Sequence, residues 1–305
     1  MRYVVTGAAG FVGSHLAEAL EAAGHEVVGL DCFTDYYDPA LKEENARGLE
    51  VRRVDLAEDE LDLDGCDGVF HLAGQPGVRA SFTDFPAYLS RNVLATQRVF
   101  EAAAARELRV VFASSSSVYG DAERYPTAEE TVPHPISPYG ITKLACENLE
   151  QAYAKSVGLD AVTLRYFTVY GPRQRPDMAF TRIVTALAEG RPFDLYGDGS
   201  ISRGFTYVAD VVTATIAGME RAPTGAVYNV GGGTETSMRD AIALTERIAG
   251  RRLDVRTAPV ASGDVRRTAA DTTRIRAELG WEPTVGLEQG LRAQWLWASA
   301  RVAAR

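Results

Sequence analysis

The stretch Ser137-Pro138-Tyr139-Gly140-Ile141-Thr142-Lys143, preceded by four consecutive serines at Ser114 to Ser117, holds the residues best suited to chemistry. A tyrosine and a lysine four positions apart lie on the same face of a helix. An ammonium close to a phenol favours the phenolate. Bringing a tyrosine from its ordinary pKa of about 10 to near 7 takes roughly 4 kcal/mol of differential stabilisation. A phenol adjusted in this way is a base for an alcohol proton. Alcohol deprotonation coupled to hydride loss is nicotinamide chemistry, so the next question is whether the chain has a nicotinamide site. A solvated helix pair can show the same Tyr-x-x-x-Lys spacing, and a polar strand end can be rich in serine. The spacing therefore needs support from elsewhere.

That support lies at the N-terminus. Tyr3-Val4-Val5-Thr6 reads as a short buried strand running into Gly7-Ala8-Ala9-Gly10-Phe11-Val12-Gly13 and a helix over 14–23. Glycines there permit a tight turn and close backbone approach to a pyrophosphate seated on the helix N-terminus. A second strand, 26–30, ends in Asp31, eighteen residues beyond Gly13, where a carboxylate can accept from ribose hydroxyls. Cys32 and Phe33 follow, with no arginine for a 2′-phosphate, which favours NAD over NADP.

The elements that position these residues follow from pattern. Strand signals fall at 3–5, 26–30, 50–53, 68–72, 109–113 and 161–166, and helical signals at 14–23, 88–105 and 138–157. Such alternation predicts an α/β fold with a doubly wound parallel sheet, whose ligands bind beyond the carboxyl ends of the strands. After Tyr166 the texture changes to a rigid basic loop, Gly171-Pro172-Arg173-Gln174-Arg175-Pro176, a helix near 180–189, glycine-rich turns and a helical tail with Trp295 and Trp297. A second, smaller C-terminal lobe over the sheet edge is expected, with the tail tryptophans in packing roles. At least one of Arg173 and Arg175 is a candidate anion binder.

Composition narrows the function. At 305 residues, 46% hydrophobic and 24% charged, the chain has an ordinary soluble-enzyme composition. A net charge of −9 argues against nucleic acid as a partner and requires local arginines for any anionic substrate. No apolar run reaches membrane-spanning length, and the N-terminus enters a strand directly, so neither a membrane nor a secretory signal is expected. The scattered Cys32, Cys66 and Cys146 read as reduced thiols of a cytoplasmic protein, with no metal site. Twenty-nine of the 32 basic residues are arginines, so a lysine at 143 fits a chemical requirement for a compact, tunable charge. His15, His25, His71 and His134 have no evident partners and are expected to be structural.

Over nearly its whole length the chain resembles the extended short-chain dehydrogenase/reductases, within them the nucleotide-sugar epimerases, and most of all the UDP-glucuronate 4-epimerases. The resemblance rests on Thr6 to Gly13, Asp35-Tyr36-Tyr37-Asp38, Ala73-Gly74-Gln75-Pro76-Gly77-Val78-Arg79, Arg165 to Pro172, Arg175-Pro176-Asp177-Met178 and Phe205-Thr206-Tyr207-Val208. It implies a Rossmann-type NAD-binding domain over 1–168, with a return segment near 204–229. The remainder of 169–305 would be mainly a nucleotide-sugar lobe. It implies Tyr139 as the base, Lys143 as its partner and ribose ligand, and Ser115 as the hydroxyl on the reacting oxygen, with Ser114 the rival within the serine run. For NAD it implies Gly7, Gly10, Phe11, Val12 and Gly13 at the pyrophosphate and Asp31, Asp55 and Leu56 at the adenosine. Leu72, Ala73, Gly74 and Tyr166 would also line the cofactor site, and Asn92 would order it. On the substrate side it implies Arg79, an Arg203 that binds diphosphate and a Tyr196 that packs on uracil.

The same resemblance implies tightly held NAD, a homodimer built on the helices 88–105 and 138–157, and transient oxidation at C4 of a UDP-sugar. Dehydratases of this fold place an acidic pair after the active Ser or Thr, and UDP-glucuronate decarboxylases place a Glu before Val-Tyr-Gly. This chain has Ser116 and Ser117 there. UDP-galactose epimerases typically have Asn where Thr168 stands. Hydroxyls at 116, 117 and 168 with the Arg175 guanidinium suit a carboxylate, so UDP-glucuronate to UDP-galacturonate is the expected reaction, with UDP-glucose/UDP-galactose epimerisation the alternative. A 4-keto uronic acid is a β-keto acid, and donors holding its carboxylate away from the perpendicular would suppress CO2 loss. Gly204, Ala209 and Ala261 depart from residues common in the family, which bears on the uridine pocket.

Overall fold

A computed structural model describes residues 1–233, 235–259, 265 and 267–303. Six strands enter the main sheet in turn: β1 (Arg2–Thr6), β2 (Glu26–Asp31), β3 (Val51–Arg53), β4 (Gly68–His71), β5 (Arg109–Ser115) and β6 (Ala161–Tyr166). The chain then leaves for β7 (Thr168–Tyr170), β8 (Phe193–Tyr196) and β9 (Ser202–Tyr207), and returns as β10 (Val227–Val230). The main sheet is parallel throughout, in the order β10-β6-β5-β4-β1-β2-β3. The order reverses between β1 and β4, and an α/β sheet opens its ligand crevice at such a switch. Thr6 pairs with Leu30 on one side and His71 on the other, and Ser115 pairs with Tyr166. Register therefore delivers Gly7, Asp31, Leu72, Ser115 and Tyr166 to a single edge.

Both faces are covered. Helix α1 (Phe11–Ala22) is followed by the short α2 (Pro39–Asn45), then α3 (Phe85–Tyr88), α4 (Ala95–Ala104) and α5 (Pro138–Val157). Apolar side chains of α4 and α5, among them Val99, Phe100 and Cys146, pack with Val69 and Val110 on one face of the sheet. On the other face Leu16 and Leu20 of α1 share a core with Val5, Phe70 and Val111. The helix α6 (Ala179–Glu189) belongs to the small lobe, whereas α7 (Val208–Arg221) lies on the main sheet and adds Val211 and Ala214 to the same core as α1.

The small lobe uses β7 and β9 with β11 (Glu235–Ser237) and β13 (Arg267–Thr268), and a separate pair formed by β8 and β12 (Val255–Ala258). Its core joins α6 to α8 (Met238–Ala249) and to the terminal helix, through Phe180, Ile183, Ile242 and Leu291. The last two helices are α9 (Thr273–Leu279) and α10 (Leu287–Ala303). Of the expected return segment, residues 208–221 and 227–230 join the main sheet, while 202–207 stays in the small one. Trp295 packs on the small core, and Trp297 lies under the Arg301 guanidinium.

The single helix expected over 88–105 is divided. Between α3 and α4 the turn Leu89–Leu94 is a π-helix. Its wider turn carries Asn92, which is fully buried; such turns often mark functional positions.

Candidate active site

A cavity of about 430 Å³ runs along the carboxyl edge of the main sheet. At its cofactor end the close approaches are backbone on backbone. A Cβ on Gly13 would lie 2.1 Å from the Gly7 carbonyl oxygen, and one on Gly7 (φ +71) would lie 2.9 Å from the Ala73 amide nitrogen. Only glycine fits either position, so the first turn folds flush against the end of β4. Among the described residues no side chain caps α1, and its first turn carries no acid. The first N–H groups of that helix thus face the cavity and suit a pyrophosphate. Asp31 accepts from Ala9 N at 3.1 Å and Phe33 N at 2.8 Å. Burial raises its pKa, against the pull of those amides and of Lys42. Asp55, Leu56, Leu72, Ala73, Gly74 and Tyr166 line the same space. The residues present therefore fit NAD.

Helix α5 sets the reactive end. Ser137 caps it by accepting from Gly140 N at 3.1 Å, and Pro138 starts the first turn. A Cβ on Gly140 would lie 2.5 Å from the Ser117 carbonyl oxygen, so glycine lets the helix press on the serine run and carries Tyr139 to it. Lys143, one turn on, is buried and donates to the Ala113 carbonyl at 2.9 Å. The Tyr139 ring meets Tyr88 edge-on, 6.3 Å between centroids. Asn92 lies behind the wall: its Oδ1 accepts from Gln75 N at 2.6 Å, and its Nδ2 donates to Gln75 O and to Thr142 Oγ1.

Strand alternation separates Ser114 from Ser115. Ser114 is buried and donates to Glu147, whose carboxylate is gripped by Arg165 through Nε at 3.0 Å and Nη2 at 2.7 Å. Ser115 is half-buried in the cavity wall, and its oxygen accepts from Ser117 N at 3.1 Å, so its own proton remains to be given. Ser116, Ser117, Thr168 and Arg175 line the wall beside Tyr139 and Lys143. Arg175 interacts electrostatically with the phenols of Tyr36 and Tyr139. Of the two loop arginines, Arg173 turns away to Glu18 on α1, at 2.7 Å.

Three expected substrate residues lie off this wall. The Arg79 guanidinium sits 4.4 Å from the Tyr196 ring centroid, and Arg203 donates to the Ser202 and Val265 carbonyls. Ala261 lies outside the described residues. Two of the histidines have the polar partners that the sequence hid: His71 sits between Thr6 and Thr96, and His15 donates to Pro172 O at 3.0 Å. Sequence reasoning also missed Tyr36, Tyr88 and Asp177 as parts of the site. Tyr36 and Asp177 stand in the two most distinctive motifs, which was the available signal.

A family model described as the NAD dependent epimerase/dehydratase family matches residues 3–231. The chain belongs to that family. It is 40% identical over 303 residues to YtcB of Bacillus subtilis, an uncharacterized UDP-glucose epimerase, covering 95% of this chain and 96% of that one. It is 32% identical to the UDP-glucuronate 4-epimerase of Thermodesulfobacterium geofontis, with 98% and 97% covered. The crystal structure of UDP-glucuronic acid 4-epimerase from Bacillus cereus, in complex with UDP-glucuronic acid and NAD, superimposes with a TM-score of 0.95 at 38% identity, covering 99% and 100%. The Rossmann-type sheet, the epimerase family and NAD as cofactor thus agree with the expectations from sequence.

Proposed function

We propose that the chain interconverts UDP-glucuronate and UDP-galacturonate through a 4-keto intermediate that keeps its carboxylate. The observation that carries this reading is the wall of hydroxyls at 116, 117 and 168 with the Arg175 guanidinium, in the same cavity as Tyr139 and Lys143. Arginine and carboxylate form strong contacts of fixed geometry. NAD held in this cavity would supply the hydride acceptor for C4 and the hydride for the other face of the ketone. Tyr139 takes the proton from the 4′-hydroxyl, and Ser115 gives its free proton as a hydrogen bond to the reacting oxygen. Lys143 has three N–H donors and spends one on Ala113 O, which leaves two for the cofactor ribose and the phenol. Residues 1–168 with the later segments on the main sheet serve NAD, and the rest of 169–305 mainly holds the nucleotide sugar. Tyr196 would take the uracil once Arg79 yields the ring face, and Arg203 the diphosphate.

A homodimer fits the exposed Phe85, Leu89, Leu94 and Ile141 along α3 to α5, and the three free cysteines suit the cytoplasm. Among the described residues no helix is long and apolar enough to cross a membrane. The test is purified protein with UDP-glucuronate and no added NAD, which should yield UDP-galacturonate. Tyr139→Phe should abolish turnover and keep its NAD. Conversion of UDP-glucose alone, or a decarboxylated main product, overturns the uronate reading.

A further inference from the structure

Arg175 is not presented to the cavity on its own. Asp177 grips it side-on, with Nε 3.0 Å from Oδ1 and Nη2 2.9 Å from Oδ2. The Tyr36 hydroxyl, from the loop after β2, lies close to the same carboxylate, and burial with the nearby Asp177 charge raises its pKa, so the phenol stays a donor. Room for that hydroxyl depends on Gly77 (φ +97), where a Cβ would lie 2.1 Å from the Tyr36 oxygen. Three segments distant in sequence thus meet near Arg175.

We propose that Asp177 is a positioning residue that decides which edge of Arg175 a sugar carboxylate can use. The inference rests on the reading of Arg175 as the partner of the carboxylate at C6. A guanidinium offers a carboxylate two bidentate edges, the side edge of Nε and Nη2 and the end edge of Nη1 and Nη2. Asp177 holds the side edge, which leaves the end edge for the substrate. That choice sets where the substrate carboxylate sits, and with it the angle of the C5–C6 bond to the ketone plane, at the stage when C4 is a ketone.

The orientation matters because of the bond it protects. In decarboxylation the C5–C6 bond breaks, CO2 leaves, and the bonding pair moves through C5–C4 onto the ketone oxygen. Water then protonates C5. Overlap of the breaking bond with the ketone π system is needed, so donors that hold the C5–C6 bond near the ketone plane resist the step. In Asp177→Asn the side edge becomes available and a competing anion is gone. Uronate then binds more tightly, in a poorer orientation.

The experiment compares wild type, Asp177→Asn and Tyr36→Phe with UDP-glucuronate, measuring released CO2 against UDP-galacturonate. That ratio does not depend on how much enzyme is active. It should rise at least fivefold in Asp177→Asn, with a lower KM, and at least twofold in Tyr36→Phe. A ratio within twofold of wild type in Asp177→Asn overturns the proposal. If Asp177→Asn folds without turning over, calorimetric titration decides: its preference for UDP-glucuronate over UDP-glucose should rise at least tenfold, and an unchanged preference overturns the proposal. If it does not fold, Tyr36→Phe decides by its own ratio. Failure of wild type to epimerise UDP-glucuronate would instead sink the functional reading.

Discussion

Ser114→Ala and Ser115→Ala should exchange ranks between a stability assay and a rate assay. Ser114 is buried and its hydroxyl donates to the Glu147 carboxylate, itself almost fully buried. A hydrogen bond to a charged group contributes about 1.5–3 kcal/mol. Arg165 still holds Glu147 through two bonds after the change, so the larger cost of a buried unpaired charge does not arise. A loss of about 2 kcal/mol follows for Ser114→Ala, or a fall in Tm of roughly 4 °C for a chain of this size. Among the described residues the Ser115 hydroxyl bonds only to the Ser117 amide at the cavity wall, so its removal costs well under half as much stability. Loss of a donor aimed at the reacting oxygen, however, lowers kcat by about 10²–10³. Thermal denaturation and initial rates with UDP-glucuronate read the two effects. A Ser114→Ala variant with wild-type Tm and a hundredfold lower kcat, beside an active Ser115→Ala, would refute the assignment.

Stability should depend on pH through two buried groups of opposite sign. His71, with a pKa pushed down to about 3 by burial, is protonated only in the unfolded chain below pH 6.5, so it costs stability as pH falls. Glu150, pushed up to about 7 by burial, keeps a proton that the unfolded chain releases above pH 4.5, so it costs stability as pH rises to 7. Glu150→Gln should therefore gain on wild type by up to about 3 kcal/mol between pH 4.5 and 8 in denaturant titrations, and a difference independent of pH would count against it. Gly74→Ala places a Cβ 3.0 Å from Asn92 Oδ1 and 3.3 Å from Lys143 Nζ, both already held, and should lower kcat at least tenfold. Gly286→Ala, with nothing within 4 Å, is the matched control; equal activity of the two would argue against crowding at Lys143.

The main sheet was legible because its strands are short apolar runs ending in residues with chemistry, so one pattern encoded both fold and site. Thr6, Asp31 and Ser115 were each found at a strand end, and register alone brought them together. Motifs pointed to the candidate pair for a similar reason: Tyr139 and Lys143 are one turn apart on one helix. What the sequence hid was partnership across long separations. The π-turn at Leu89–Leu94 reads as helix because it is a single wide turn set between helical residues on both sides. Arg173 and Arg175 are indistinguishable as letters. Only the distant Glu18 and the local Asp177 separate them. Arg203 sits on a strand and spends its donors on nearby carbonyls, an arrangement no spacing rule predicts.

Histidine 71 shows how much a single partner adds. Thr6 Oγ1 accepts from both Leu72 N and Ala73 N, each at 3.1 Å. With its lone pairs so occupied, the hydroxyl proton must go to His71 Nδ1, 2.8 Å away. The ring then carries its proton on Nε2 and donates it to Thr96 Oγ1 at 2.9 Å. A neutral imidazole of one tautomer thus fixes the hydroxyl that fixes the end of β4. Gly7 packs on that same end, with its would-be Cβ 2.9 Å from Ala73 N. A protonated ring would present two donors, and Thr6 would have to give up an amide. The shape of the cofactor turn therefore depends on a side chain that never reaches the cavity, and on burial keeping that side chain neutral.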